Sequence, residues 1–180
     1  RRRQRQMCIR DRLYISGLGS SESYLNGKRI SKDVFAPMPS LYTSRVYYNV
    51  YDVTDLLQQG ENLLGVVLGN GRYFSMRVPG MLTTGLPSLL AQLEVEYTDG
   101  SMDQVVSDTS WKVTSQGPIV ANNEFDGEEY DARKELKGWN TVSFDDSAWK
   151  TADLMKEPGG KLTAQPNPNL AVQDTVVPVN

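Results

Sequence analysis

The chain has 180 residues, 39% of them hydrophobic and 23% charged, with one cysteine and no histidine. That length suits one domain with a real core; the missing histidine removes Ser-His-Asp triads, Cys-His pairs and ordinary zinc sites from these residues, and a lone cysteine removes an intrachain disulfide. Six of the 19 basic residues fall in residues 1–12, leaving 13 basic and 21 acidic residues, a net charge of −8, elsewhere. An acidic body speaks against a nucleic-acid role, and no apolar run approaches the roughly 18 residues of a membrane span.

Residues 1–12 (RRRQRQMCIRDR) have no apolar periodicity and lack the apolar stretch of a signal peptide. They resemble translated adapter sequence and are expected to be a non-native or disordered leader. Residues 13–18 (LYISGL) and 23–25 alternate as strands do, and Asn26-Gly27 supplies the positive φ of a tight hairpin turn into 28–30. A loop through Ala36, Pro37 and Pro39 leads to 45–51 (RVYYNVY), whose aromatic and β-branched content predicts a strand. The phrase 51–71 (YDVTDLLQQGENLLGVVLGNG) predicts a rigid corner: Thr54 caps a one-turn helix over 55–59, Gly60 ends it in the left-handed conformation, and 63–68 is extended. Because LLGVVL lacks polar alternation, both faces of that strand are expected to be covered.

Residues 69–85, with four glycines and Pro79, read as a long loop. Then 89–97 (LLAQLEVEY) and 104–107 flank the hairpin signature Thr98-Asp99-Gly100-Ser101, and 110–114 predicts a further short strand. Gly117-Pro118 breaks the chain before an acidic block, after which 130–136 is expected to return to the sheet. In 139–149 (WNTVSFDDSAW) Asp145 is expected to cap a short helical turn while Trp149 enters the core. Short strands, glycine turns and the lack of a long amphipathic helix predict an all-β jelly-roll β-sandwich over 13–158, with at most short helical turns. Residues 159–180 read as a linker and the first strand of a following domain.

Five segments carry a resemblance in their order along the chain: 24–30 (YLNGKRI), 51–71, 89–97, 125–133 (FDGEEYDAR) and 144–149 (FDDSAW). Together they resemble the N-terminal domain of bacterial α-L-rhamnosidases of glycoside hydrolase family 78, a galactose-binding-like jelly roll. The hairpin and corner recur in jelly rolls of many glycosidases, and the combination with FDGEEYDAR makes the match specific. The resemblance implies a parent enzyme that removes terminal α-L-rhamnose with inversion, using glutamates of a downstream helical barrel. It also implies that this segment is a non-catalytic scaffold that docks on the catalytic domain and contacts carbohydrate.

Asp126, Glu128, Glu129 and Asp131, with Arg133 close behind, are the densest set of ionisable groups, and three readings compete for them. As glycosidase catalysts, two carboxylates would flank a sugar, roughly 6.5–9.5 Å apart in an inverting enzyme, which neighbours along one segment seldom achieve. As a calcium site, they offer hard oxygens to which Asn70, Asn122 and Asn123 could add carbonyls at one end of the sandwich; a related rhamnose-binding module of the resembled family uses calcium to hold the sugar hydroxyls, and no motif here matches its ligands. As structure, Asp126-Gly127 makes a turn and Arg133 pairs with a carboxylate of this domain or of the catalytic one.

Tyr42, Tyr73 and Phe74 sit in or beside loops where a ring could hold a sugar, whereas Trp111, Trp139 and Trp149 read as core anchors. The candidate carbohydrate contacts are Asn70, Arg72, Tyr73, Asp126 and Glu128; the candidate calcium ligands are Asn70, Asn123 and Asp126. The resembled family usually carries an aromatic residue where this chain has Arg72. Two other readings stay open: a free-standing, calcium-assisted carbohydrate-binding module, and the sugar-binding jelly roll of another glycosidase family such as a β-galactosidase.

Overall fold

The computed structural model describes residues 8–74, 85–123 and 126–177, apart from the side chains of residues 8, 9 and 123. The strands follow as β1 (Cys8–Leu18), β2 (Ser20–Leu25), β3 (Lys28–Arg29), β4 (Asp33–Val34), β5 (Arg45–Asp52), β6 (Leu64–Gly69), β7 (Ser88–Tyr97) and β8 (Met102–Val106). The second half adds β9 (Lys112–Val113), β10 (Ile119–Asn123), β11 (Gly127–Tyr130), β12 (Lys150–Thr151), β13 (Lys161–Ala164) and β14 (Leu170–Ala171). One sheet runs in the order β13-β5-β1-β7-β8 and a second in the order β3-β2-β6. Small ladders β10-β11, β12-β9 and β14-β4 dress the ends. No helix among the described residues is long and apolar enough to cross a membrane.

Alternation builds the core. Leu13 of β1 stands opposite Leu93 of β7, and Ile15 opposite Ala91; with a side-chain period of two these residues share one face. Leu25 from β2, Val53 from the corner and Leu64 and Val66 from β6 close over them. Each large side chain buried there contributes roughly 1.5–3 kcal/mol. The other face of the same strands carries the Arg12–Asp52 ion pair and the Tyr14–Tyr48 ring contact. The chain passes from one sheet to the other at Gly19, whose φ of 111° a side chain would strain.

The Asn26-Gly27 turn forms as expected, with φ of 54° and 82°. Asn26 also reaches across to the corner: Nδ2 donates to Leu56 O and Asn62 Oδ1, and Oδ1 accepts from Leu63 N. The corner itself differs from expectation. There is no helical turn over 55–59; Leu56 N and Leu57 N both donate to Val53 O, and Asn62 binds the backbone of Gln58 from both sides. Asp52, rather than Thr54, is the cap, its Oδ1 accepting from Thr54 N and Oγ1. The Thr54 hydroxyl instead accepts from Asp11 N of β1. The amides that a Thr54 cap would take, those of Leu56 and Leu57, go to Val53 O instead, which leaves the Thr54 hydroxyl to accept from Asp11 N.

Three other segments also differ. Residues 130–136 do not return to the main sheet: β11 ends at Tyr130 and a 3-10 turn, Ala132–Lys134, follows. Asp131 caps that turn, accepting from Arg133 N, and holds the Arg133 guanidinium through two side-chain bonds of 2.8 Å, which ends the extended run. Residues 161–164 form β13, which joins β5 in parallel, and residues 172–177 carry no regular structure. β1 begins at Cys8, so the first sheet takes in the second half of the segment read as a leader. Near the other end of the chain Asp145 Oδ1 accepts from Ser147 N, and Trp149 packs edge-on to Phe144 at 5.5 Å while staying partly exposed.

Candidate functional site

The end of β6 and the β10–β11 hairpin meet through a reciprocal clamp. Asn70 N donates to Asn122 Oδ1 and Asn70 Nδ2 donates to Asn122 O, both at 2.8 Å. Backbone room makes the clamp possible: a Cβ on Gly69 would stand 2.7 Å from Asn122 Nδ2, and one on Gly71 would stand 2.7 Å from Gly19 O. Glu128 is the register partner of Asn122, and paired residues of an antiparallel ladder project to the same face. Asn70, Asn122 and Glu128 are thus brought together, with Glu128 exposed.

The other predicted site residues are placed differently. Tyr73 is only 3% exposed and meets Tyr42 edge to face at 4.9 Å. Burial raises its hydroxyl pKa, and neither ring presents a face to solvent. Arg72 and Asp126 are exposed. The side chain of Asn123 lies outside the described residues; its backbone pairs with Gly127 at the hairpin end.

Glu128 and Glu129 are consecutive residues of β11, so they project to opposite faces and cannot close on one sugar. Asp131 is committed to Arg133, whose hydrogen bond holds its carboxyl below the usual carboxylate range. Among the described residues the oxygens near Asn70 also fall short of the roughly six to eight that calcium takes. Both oxygens that Asn122 could lend already accept from Asn70, and no group of three His, Cys, Asp or Glu side chains among the described residues could hold a metal ion. Sequence reasoning offered Asn122 only as a possible calcium ligand, although two adjacent asparagines inside a strand (IVANN) signalled a polar attachment.

The model of the α-L-rhamnosidase N-terminal domain matches residues 7–174. The chain belongs to that family. An α-L-rhamnosidase of Formosa agariphila is 37% identical over 176 residues, covering 93% of this chain and 18% of its own length. The solved α-L-rhamnosidase of Dictyoglumus thermophilum superposes with a TM-score of 0.87 at 44% identity, over 98% of this chain and 19% of that one. The Streptomyces avermitilis α-L-rhamnosidase, solved in complex with L-rhamnose, gives 0.86 at 37% identity over 97% of this chain and 17% of its own. The chain therefore spans under a fifth of the length of these rhamnosidases, and their agreement with it confirms the β-sandwich.

Proposed function

We propose that these residues are the non-catalytic N-terminal portion of an α-L-rhamnosidase and act as a scaffold for a catalytic domain elsewhere in the polypeptide. The parent would remove terminal α-L-rhamnose from glycans or glycosides with inversion, one carboxylic acid protonating the leaving oxygen and another carboxylate activating water. Both groups would lie outside the 180 residues. The match of nearly the whole chain to a family N-terminal domain carries this reading. The acidic hairpin supports it, because its glutamates face opposite ways and Asp131 is already paired.

In this reading the end of the sandwich formed by Asn70, Asn122 and Glu128 is the place where carbohydrate or the catalytic domain is met. Contiguous sequence of the reading frame tests the assignment: a downstream helical barrel with paired glutamates is expected, and a stop codon or a domain of another class would overturn it. Calorimetry with L-rhamnose, with and without calcium, tests the contact. Calcium-dependent micromolar binding would instead favour an autonomous binding module.

A further inference from the structure

Among the described residues the core is closed on one side only. A cavity of about 1150 Å³ opens between the sheets, lined in part by Leu64, Val66 and Leu68 of β6, Leu93 and Val95 of β7 and Val105 of β8. Val105 is 50% exposed although its register partner Leu93 is buried at 7%.

Among the described residues the edge beside the cavity is also open. In the β2–β6 ladder Asn26 N donates to Leu63 O, which fixes the alternation. Gly65, Val67 and Gly69 turn their amides and carbonyls toward β2, and Leu64, Val66 and Leu68 turn theirs away. Among the described residues β6 pairs with β2 alone. A row of free backbone groups beside an apolar trough is the template for an added strand rather than for a helix or a small ligand.

We infer that β6 takes a further strand from the same polypeptide, outside these 180 residues, whose alternate apolar side chains fill the cavity over Val66 and Val105. The relatives supply the reason to choose this occupant over a second copy: the matched region is under a fifth of each of their chains. The inference rests on the reading that this chain is part of a longer enzyme. It can fail while that reading survives, since a reading frame with a catalytic barrel does not require the strand to dock on β6.

The test uses the purified 180-residue chain and peptides of about 12 residues, strand length plus flanks, tiling the Dictyoglumus thermophilum α-L-rhamnosidase on both sides of the matched region. One peptide with alternating apolar residues is expected to bind with a Kd on the order of micromolar and to slow amide exchange at Val66 and Leu68 at least about tenfold. Val105→Glu, at a half-exposed position, is expected to keep the far-UV spectrum and weaken binding about tenfold or more. Val50→Glu, on the opposite face of the first sheet, is expected to change nothing. The inference is overturned if no peptide binds, if protection falls on other strands, if Val105→Glu binds as well as the parent, or if the chain alone dimerises with Val66 and Leu68 protected.

Discussion

Replacing Asn26 by alanine removes three hydrogen bonds at one stroke, those to Leu56 O, Asn62 Oδ1 and Leu63 N, at 3.0, 2.7 and 3.0 Å. Each contributes about 0.5–1.5 kcal/mol. Position 26 also holds a φ of 54°, where alanine pays roughly 1–2 kcal/mol that asparagine largely escapes. The sum is about 2.5–6.5 kcal/mol, a large share of the roughly 5–15 kcal/mol of an ordinary domain. Urea unfolding followed by tryptophan fluorescence reads it as a lower midpoint at unchanged slope. Asn26→Gly separates the two parts, since it relieves the backbone and keeps the hydrogen-bond loss, and should recover about 1–2 kcal/mol relative to alanine. A loss under about 0.5 kcal/mol for Asn26→Ala, within the range of an ordinary surface change, would refute the idea that this side chain ties hairpin to corner.

Gly65→Ala puts a Cβ 2.6 Å from the Trp139 ring, which also packs on Tyr24. A loss of about 1–3 kcal/mol and a changed tryptophan emission are expected, and an unchanged unfolding curve would show that the ring does not rest on β6. Asp11 is fully buried, with Oδ1 accepting from Glu96 N and Oδ2 unpartnered; Asp11→Asn keeps the acceptor and replaces the acid by a neutral amide. It should raise the melting temperature by the equivalent of about 1 kcal/mol, and a lower one would show that the carboxylate is needed. Asp52 is held at a pKa of about 2, against 3.8 unperturbed, first by the Thr54 hydroxyl and then by Arg12. A depressed carboxylate stabilises the fold above its unfolded pKa and stops doing so as pH falls through the folded one. The advantage of the parent over Asp52→Asn, under about 1 kcal/mol because the group is exposed, should therefore be constant at neutral pH and fade between 3.8 and about 2. An advantage that grows on acidification would reverse the sign.

Local grammar was legible and long-range attachment was not. Asn26-Gly27 announced its turn because the conformation is a property of those two residues, and LLAQLEVEY announced β7 because one face is buried. The corner was found in the right place with the wrong cap, since Asp52 and Thr54 both offer oxygens and only the fold commits Thr54 to Asp11 N. The parallel addition of β13 to β5 joins residues more than a hundred positions apart, and no local signal encodes it. At the site, the sequence placed Asn70 and Glu128 on one list, and the structure brings them to one end through Asn122, 52 residues from Asn70. Tyr73, read as a loop ring open to sugar, is buried because Tyr42 lies against it.

The purified chain, shown by circular dichroism to be folded and β-rich, should be incubated with 4-nitrophenyl α-L-rhamnopyranoside. A segment whose chemistry resides elsewhere in the polypeptide releases no nitrophenol above the blank. Steady turnover by these 180 residues alone would contradict the assignment of a scaffold that lacks its catalytic partner.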